Sequence, residues 1–153
     1  MPTGWRIIKA AHRDHAYDGE GARLYGGRWN GPGFAMIYTA ESIALAVLEI
    51  LVHIERQDQL KNYQLGAVNF PDSTVERLDL ERLPHRWRKS PGPVSLQEIG
   101  NEWLASGASA ILQVPSVITG ELESNFLLNP AHPDFADVEL VDPEPFWIDS
   151  RLG

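Results

Sequence analysis

A glycine-rich segment, followed at once by a short apolar segment and then a longer one, constrains the fold most strongly. Four glycines lie within residues 26–33, and the apolar residues after them predict a short buried strand. Residues 42–57 then predict a helix of roughly 24 Å, with Thr39 or Ser42 as its N-cap. Because nearly every residue over 43–54 is apolar, we expect protein to surround this helix.

Two residues, Glu49 and His53, interrupt the apolar pattern of the predicted helix. Helical spacing places them on one stripe with Ala46, a small residue that leaves room for a ligand. A carboxylate in apolar surroundings has to be paired, protonated or placed in a functional cleft. Glu49 is therefore either half of a structural ion pair or a functional group, and the helix alone does not decide between them.

The glycine-rich segment contributes a second candidate, Arg28. Glycines let the backbone approach a ligand closely, and arginine suits a diphosphate because it donates paired hydrogen bonds. Tyr38, at the end of the predicted strand, offers a ring that can stack on a heteroaromatic group. Arg28, Tyr38 and Glu49 together predict a nucleotide site. The alternative is that residues 26–33 only form a hairpin connection, because their Asn-Gly and Pro-Gly pairs are strong turn signals. The patterns of a P-loop and of a Rossmann turn are both absent.

Composition limits the classes of protein that remain. The chain has 153 residues, 43% of them hydrophobic, which predicts one domain with a substantial core. The absence of cysteine excludes disulfides and thiol nucleophiles, and a net charge of -8 argues against nucleic acid as the main ligand. His12 and His15 lack the partners of a metal site, so we predict no metal. With no signal peptide and no membrane span predicted, we expect a cytoplasmic protein.

The rest of the chain predicts further strands and one more helix. The helix covers residues 95–105, beginning with a capping box and ending at Gly107. The predicted strands cover residues 5–8, 64–70, 75–80, 109–114 and 125–128. Strands and helices without regular alternation predict an α+β fold rather than a doubly wound sheet. Residues 134–145 are expected to be an acidic, proline-containing tail that leads to an apolar patch at 146–148.

Ser116 follows a predicted strand at a turn. A serine in this position binds a ligand hydroxyl or phosphate, or simply caps the turn. Because no Gly-x-Ser-x-Gly elbow surrounds it, we predict a binding role rather than nucleophilic attack.

Arg82, Arg86, Arg88 and Lys89 form a basic cluster in this acidic sequence. The simplest interpretation is a solvated loop. The alternatives are a docking surface for an acidic segment of a partner and, third, nucleic-acid binding.

Five motifs occur in a distinctive order: Gly26-Gly-Arg-Trp-Asn30, Tyr38, Leu45-Ala-Val-Leu-Glu49, Val114-Pro-Ser116 and Asn125-Phe-Leu-Leu-Asn129. Together they resemble the RES-domain family, over about residues 5–147. The arginine, glutamate and serine of the family name map onto Arg28, Glu49 and Ser116. The resemblance implies an ADP-ribosyltransferase-like fold, with a mixed, split β-sheet and packed helices in a single domain over residues 1–153. It leaves the strand order open.

The resemblance also implies a function: the toxin of a bacterial toxin–antitoxin system that breaks the bond between nicotinamide and ribose in NAD+. NAD+ would be the substrate, and no separate cofactor is expected. Glu49 would stabilise the positive charge that develops on the ribose, Arg28 would hold the pyrophosphate or the adjacent ribose, and Tyr38 would orient the nicotinamide.

Four more residues are candidates for the same site. Ser116, Asn125 and Arg6 are expected to contact NAD+, and His53 to orient Glu49. For Arg6 the alternative is a surface cation at a strand edge, and for His53 it is a core histidine.

The acceptor of the ADP-ribosyl group stays open, with water or phosphate as our first prediction and a protein as the second. A ribonuclease-type toxin would instead use Glu49 and His53 as base and acid, although the acidic charge disfavours it. A non-catalytic nucleotide-binding module is a further alternative.

The resemblance implies one partner above all, a cognate antitoxin with an Xre-like DNA-binding domain that blocks the active site. Exposed apolar residues near the end of the chain suggest a homodimer. Direct binding to nucleic acid or to a membrane is not expected.

Overall fold

The structure, a computed structural model, describes residues 1–54 and 61–152. These residues form one mixed sheet of seven strands: β1 (Thr3–Lys9), β2 (Ile37–Ala40), β3 (Tyr63–Asn69), β4 (Val75–Arg77), β5 (Ile111–Ser116), β6 (Gly120–Leu128) and β7 (Glu139–Phe146). Their order is β4-β5-β6-β2-β1-β3-β7, and only the pair of β4 and β5 is parallel among the described strands. The predicted α+β class with a mixed sheet is confirmed. Its two halves meet at β1 and β2, whose one register pair is Trp5 with Ala40.

Three α-helices accompany the sheet in the described ranges: α1 (Glu20–Tyr25), α2 (Ile43–Leu51) and α3 (Val94–Ser106). None of them is long and apolar enough to cross a membrane. Ser42 is the N-cap of α2, because its hydroxyl oxygen accepts a hydrogen bond from the Leu45 amide at 3.0 Å. This confirms one of the two predicted caps.

The prediction of a helix over residues 42–57 was too long, since α2 ends at Leu51. Residues 55–57 lie outside the described part of the chain. The expectation that protein surrounds the helix was also wrong. Leu48 is 40% exposed and Val52, just after the helix, is 64% exposed, because α2 buries one side against the sheet and leaves the other open.

Helices α2 and α3 pack on the same face of the sheet. Side chains alternate between faces along a strand, and Tyr38 packs against the core around α3, whereas Ala40, two residues later, belongs to the core around α2. The core around α3, called the α3 cluster below, contains Trp29, Met36, Leu78, Leu96, Ile99, Trp103, Leu112, Val114 and Leu127. The core around α2, the α2 cluster, contains Ile7, Ala40, Leu45, Ala46, Tyr63 and Ile148. The opposite face is covered by Ile37, Val68, Phe70, Ala110, Ile111, Phe126, Leu128 and Val138.

Helix α3 agrees with the prediction at its end but not at its start. It is followed by Gly107, whose φ of 61° is the left-handed conformation that glycine adopts at low cost. The predicted capping box is wrong, since the N-cap is Pro93 and no side chain caps it. The helix begins one residue before Ser95, so this serine lies inside the first turn instead of preceding it.

The sequence did not predict α1, the first half of β6, or β7. The expected tail over residues 134–145 in fact contains most of β7, an edge strand paired with β3. Pro143 and Pro145 made this segment look unstructured, because a proline cannot donate a hydrogen bond to a sheet. An edge strand tolerates such residues, since one side of it has no partner strand.

Gly100 lets α3 lie directly against the loop that carries Trp29. A Cβ atom at position 100 would overlap the Trp29 carbonyl oxygen. The backbones of the helix and the loop are therefore in contact at this point, and this contact fixes the position of the loop relative to α3.

We predict that Gly100→Ala lowers the free energy of unfolding by about 1–3 kcal/mol, because the overlap with a backbone atom outweighs the better helix propensity of alanine. Urea denaturation would measure this change. Gly21→Ala in α1 is the matched control, since among the described residues the added methyl group meets nothing within 4 Å beyond its chain neighbours and the backbone of its own helix. Equal stability of the two variants would contradict the close packing.

Candidate active site

The side chain of Glu49 in α2 is tied to β6. Its Oε1 accepts a hydrogen bond from Asn125 Nδ2 at 2.6 Å. The same Nδ2 donates to the Thr39 carbonyl oxygen at 3.1 Å, so both amide protons of the buried Asn125 are in use. The hydrogen bond to Thr39 fixes the amide, and the amide in turn fixes the carboxylate.

The environment of Glu49 favours its neutral form more than water does. Burial raises the pKa of the carboxyl above its ordinary value, while the hydrogen bond from Asn125 and the positive charge of Arg28 act in the opposite direction. Burial dominates. A carboxylate of this kind is a stronger base than an exposed one, and it interacts more strongly with a nearby positive charge.

Arg28 lies in a short loop that closes on itself. The Gly27 amide donates to the Asn30 carbonyl oxygen at 2.9 Å, and the Trp29 amide donates to the Tyr38 hydroxyl at 3.0 Å. Partial burial lowers the pKa of Arg28, while the negative charge of Glu49 raises it. The two groups therefore act on each other electrostatically, although the described residues contain no salt bridge between them.

Tyr38 holds this loop through its hydroxyl group. The hydroxyl accepts from the Trp29 amide and donates to Asn30 Oδ1 at 2.5 Å. Burial raises the pKa of Tyr38 far above its ordinary value, so the hydroxyl keeps its proton. Because the proton is committed to Asn30, the ring is the part of Tyr38 that remains for a ligand.

Helix α3 holds the same loop from the other side. Gln97 Nε2 donates to the Gly27 carbonyl oxygen at 2.9 Å, and Asn101 Oδ1 accepts from the Gly31 amide at 3.0 Å. These two contacts lie on either side of Arg28 in sequence. The loop is thus fixed before any ligand binds, which is the condition for a preorganised site.

Ser116 is fully buried, and the structure uses it to cap a turn. Its hydroxyl oxygen accepts from the amides of Ile118 and Thr119 at 3.1 and 3.2 Å. Capping is one of the two roles that the sequence predicts. The turn follows β5, in which Val114 is the register partner of Asn125, so Ser116 lies near the end of the sheet that carries the Glu49 contact.

The structure does not bring Arg6 to Glu49. Trp5 and Ile7 pack in the α2 cluster, so Arg6 between them points to the opposite face. Its Nη1 donates to the Tyr38 carbonyl oxygen at 3.0 Å, and its buried Nε has no hydrogen-bond partner in the described part of the chain.

His53 also lies apart from the carboxylate. It comes after the end of α2, its side chain is exposed, and its imidazole forms no hydrogen bond within residues 1–54 and 61–152. The helical stripe that linked it to Glu49 in the sequence does not extend that far.

Comparison with known proteins identifies the family. A family model described as the RES domain matches residues 3–149. The chain belongs to the RES-domain family. It is 40% identical over 149 residues to Toxin Res of Yersinia enterocolitica, with 97% of each chain covered. It is 38% identical over 154 residues to the Prs ADP-ribosylating toxin of Sphingobium sp. strain YBL2, with 97% of this chain and 94% of the relative covered.

A third relative is similar over a shorter stretch and also has a solved structure. The NAD(+) phosphorylase MbcT of Mycobacterium tuberculosis is 33% identical over 112 residues, which cover 66% of this chain and 54% of MbcT. The crystal structure of the M. tuberculosis MbcT–MbcA toxin–antitoxin complex matches with a TM-score of 0.72 and 23% identity, over 95% of this chain and 84% of that chain. This similarity supports the fold.

Sequence reasoning missed the residues that support the RES motifs. It treated Asn30 as part of a turn, and it assigned no role to Gln97 or Asn101. The signal was present in α3, since a polar pair four residues apart between apolar positions indicates a helix face that contacts something polar. For Asn30 a single sequence offers no comparable signal, because asparagine before glycine is common in turns.

The raised pKa of Glu49 has a measurable effect on stability. Because the folded state binds this proton more tightly than the unfolded state does, stability falls as the pH rises through the raised pKa. We predict that Glu49→Gln, which can still accept from Asn125, increases the free energy of unfolding at pH 7. The gain should shrink as the pH falls and disappear at about pH 3, below the ordinary pKa of glutamate, where the carboxyl is protonated in both states.

Urea denaturation at several pH values would test this, with the exposed Glu98→Gln in α3 as the control. A Glu49→Gln protein less stable than the wild type at pH 7 would mean that the carboxylate stabilises the fold and has a structural role.

Proposed function

We propose that this chain is the toxin of a bacterial toxin–antitoxin pair and that it degrades NAD+ by breaking the bond between nicotinamide and ribose. The observation that carries the proposal is the partly buried carboxylate of Glu49, oriented by Asn125 and close enough to Arg28 for their charges to interact. Membership in the RES-domain family supports it, as do relatives named ADP-ribosylating toxin and NAD(+) phosphorylase.

Glu49 has the central role in this mechanism. As the bond between the ribose C1′ and the nicotinamide nitrogen breaks, its electron pair leaves with nicotinamide, and the ribose becomes oxocarbenium-like. A fixed carboxylate in a partly dehydrated site stabilises that positive charge without having to reorganise. Its raised pKa also suits it to accept a proton from the attacking group.

The other residues hold the substrate in this proposal. Arg28 binds the diphosphate or the adjacent ribose through paired hydrogen bonds. Because its loop is fixed from two sides, the guanidinium is positioned before the substrate arrives. The ring of Tyr38 orients the nicotinamide, and Asn125 orients Glu49. Ser116 acts on the site indirectly, because its hydroxyl group holds the turn that follows β5. Arg6 supports the site from the opposite face by its hydrogen bond to the Tyr38 backbone.

For the acceptor, we propose water or phosphate first. An NAD(+) phosphorylase and an ADP-ribosylating toxin both occur among the relatives, so transfer to a protein remains the second candidate. The ribonuclease alternative finds no support in the site, because His53 is exposed beyond the end of α2 and lies outside the network around Glu49.

We also propose that an antitoxin with an Xre-like DNA-binding domain covers this site and that the pair acts in the cytoplasm. The matching crystal structure is that of a toxin–antitoxin complex, which supports an antitoxin partner.

The direct test is to incubate the purified protein with NAD+, with and without phosphate, and to follow nicotinamide by chromatography. We predict that Glu49→Gln lowers the rate of nicotinamide release by about 100-fold or more, since it removes the charge that stabilises the transition state. The second product identifies the acceptor: ADP-ribose for water, its phosphorylated form for phosphate. Glu98→Gln should react like the wild type. A Glu49→Gln protein that keeps full activity would exclude the carboxylate mechanism.

The pH profile tests the role of Asn125. Its hydrogen bond lowers the pKa of Glu49, so removing it should raise that pKa further. If the ionised carboxylate is required, the acidic limb of kcat/KM in Asn125→Ala moves to higher pH. Gln113→Ala, which removes another side-chain hydrogen bond between β5 and β6, should leave the limb in place. An unshifted limb in Asn125→Ala would assign the profile to another group.

A further inference from the structure

Residues 87–92, which we call the strap, join two parts of the site that are distant in sequence. On one side the strap binds Arg28, whose Nη1 donates to the carbonyl oxygens of Trp87 and Lys89 at 3.3 and 2.9 Å. Gly92 lets the strap lie close to the same guanidinium, since a Cβ atom there would come within 2.5 Å of Nη1. Arg28 is thus enclosed by backbone that belongs to the strap.

On its other side the strap binds the turn that Ser116 caps. Arg88 donates from Nε to the Val117 carbonyl oxygen at 2.9 Å and from Nη2 to that of Ile118 at 2.7 Å. Its guanidinium also lies against Gly120, where a Cβ atom would be 3.3 Å from Nη1. The turn is therefore fixed from inside by a serine hydroxyl and from outside by an arginine.

The strap itself is anchored. Trp87 is partly buried and packs against the α3 cluster. The backbone next to Arg88 is therefore held by the core. The planar guanidinium of Arg88 has its donors in a rigid arrangement that matches the two successive carbonyl groups.

Arg86 provides a contrast within the same loop. It is exposed, and its side chain forms no hydrogen bond or ion pair within the described ranges. The basic cluster of the sequence thus contains two arginines with the same charge and different geometry.

We propose that Arg88 is a positioning residue for the NAD+ site: it fixes the turn over residues 116–120 relative to the strap, and the strap fixes Arg28. The two sides of the substrate site then keep a constant separation, so a ligand that contacts both sides binds to a preorganised site. This inference rests on the proposed function for its effect on catalysis, but the contact itself does not.

The kinetic test compares Arg88→Ala, Arg88→Lys and Arg86→Ala in the NAD+ assay. Arg88→Ala should raise KM for NAD+ by about 10-fold to 100-fold while kcat changes much less, because Glu49 is untouched and ground-state positioning is lost. Arg88→Lys should resemble Arg88→Ala, since a lysine cannot donate to both carbonyls in the same geometry. Arg86→Ala should behave like the wild type.

Two results would overturn the proposal. If Arg86→Ala raises KM as much as Arg88→Ala does, and Arg88→Lys restores it, the cluster acts through net charge alone. If Arg88→Ala lowers kcat and the melting temperature together, its role is general stability.

Hydrogen–deuterium exchange gives a readout without NAD+. Arg88→Ala should speed amide exchange in the peptide over residues 116–120 and, more weakly, in the loop over residues 26–30, whereas Arg86→Ala should change neither. Unchanged exchange in Arg88→Ala would refute the positioning contact. If the wild-type protein leaves NAD+ intact while Arg88→Ala shows the predicted exchange pattern, the proposed function is refuted and the contact is kept.

Discussion

The geometry of the site depends on the buried side chain of Asn30. Its Oδ1 accepts the hydroxyl proton of Tyr38, and its Nδ2 donates to the carbonyl oxygens of Ala22 and Phe34. Any of these polar groups would be costly to bury without a partner, so the loop has few other conformations of comparable energy. Because this loop carries Arg28, the position of the cation is set by a network that lies beneath it.

The two charged groups of the site are held in surroundings that work against their charges. Burial pushes the pKa of Glu49 upward and that of Arg28 downward, and each group partly offsets the shift of the other. If their purpose were structural, the simplest arrangement would be a direct salt bridge, yet the described residues show none between them. The loop holds Arg28 and Asn125 holds Glu49, so the two charged groups stay apart. This arrangement is more typical of a site that binds a charged ligand.

Local patterns predicted the local parts of this structure well. Strands β1 and β3 and the end of α3 follow directly from apolar periodicity and from Gly107, because each depends on neighbours in the chain. The structure also brings Arg28 close enough to both Glu49 and Tyr38 for electrostatic interaction, although the roles of these residues in catalysis stay predictions. The end of α2, the edge strand β7 and the contacts between α3 and the Arg28 loop could not be predicted, because packing between distant segments decides them.

The charge distribution of the proposed substrate fits this separation. NAD+ carries a positive nicotinamide ring at one end of the ribose and a negative diphosphate at the other. A carboxylate and a guanidinium that formed a direct pair would have to part before such a ligand could bind, and the energy of parting would weaken binding. Since Glu49 is bound by Asn125 and Arg28 by backbone carbonyls, both keep their charge available. In the proposed mechanism, the positive charge moves onto the ribose as nicotinamide leaves. The interaction with Glu49 would then be strongest in the transition state, where it would accelerate the reaction.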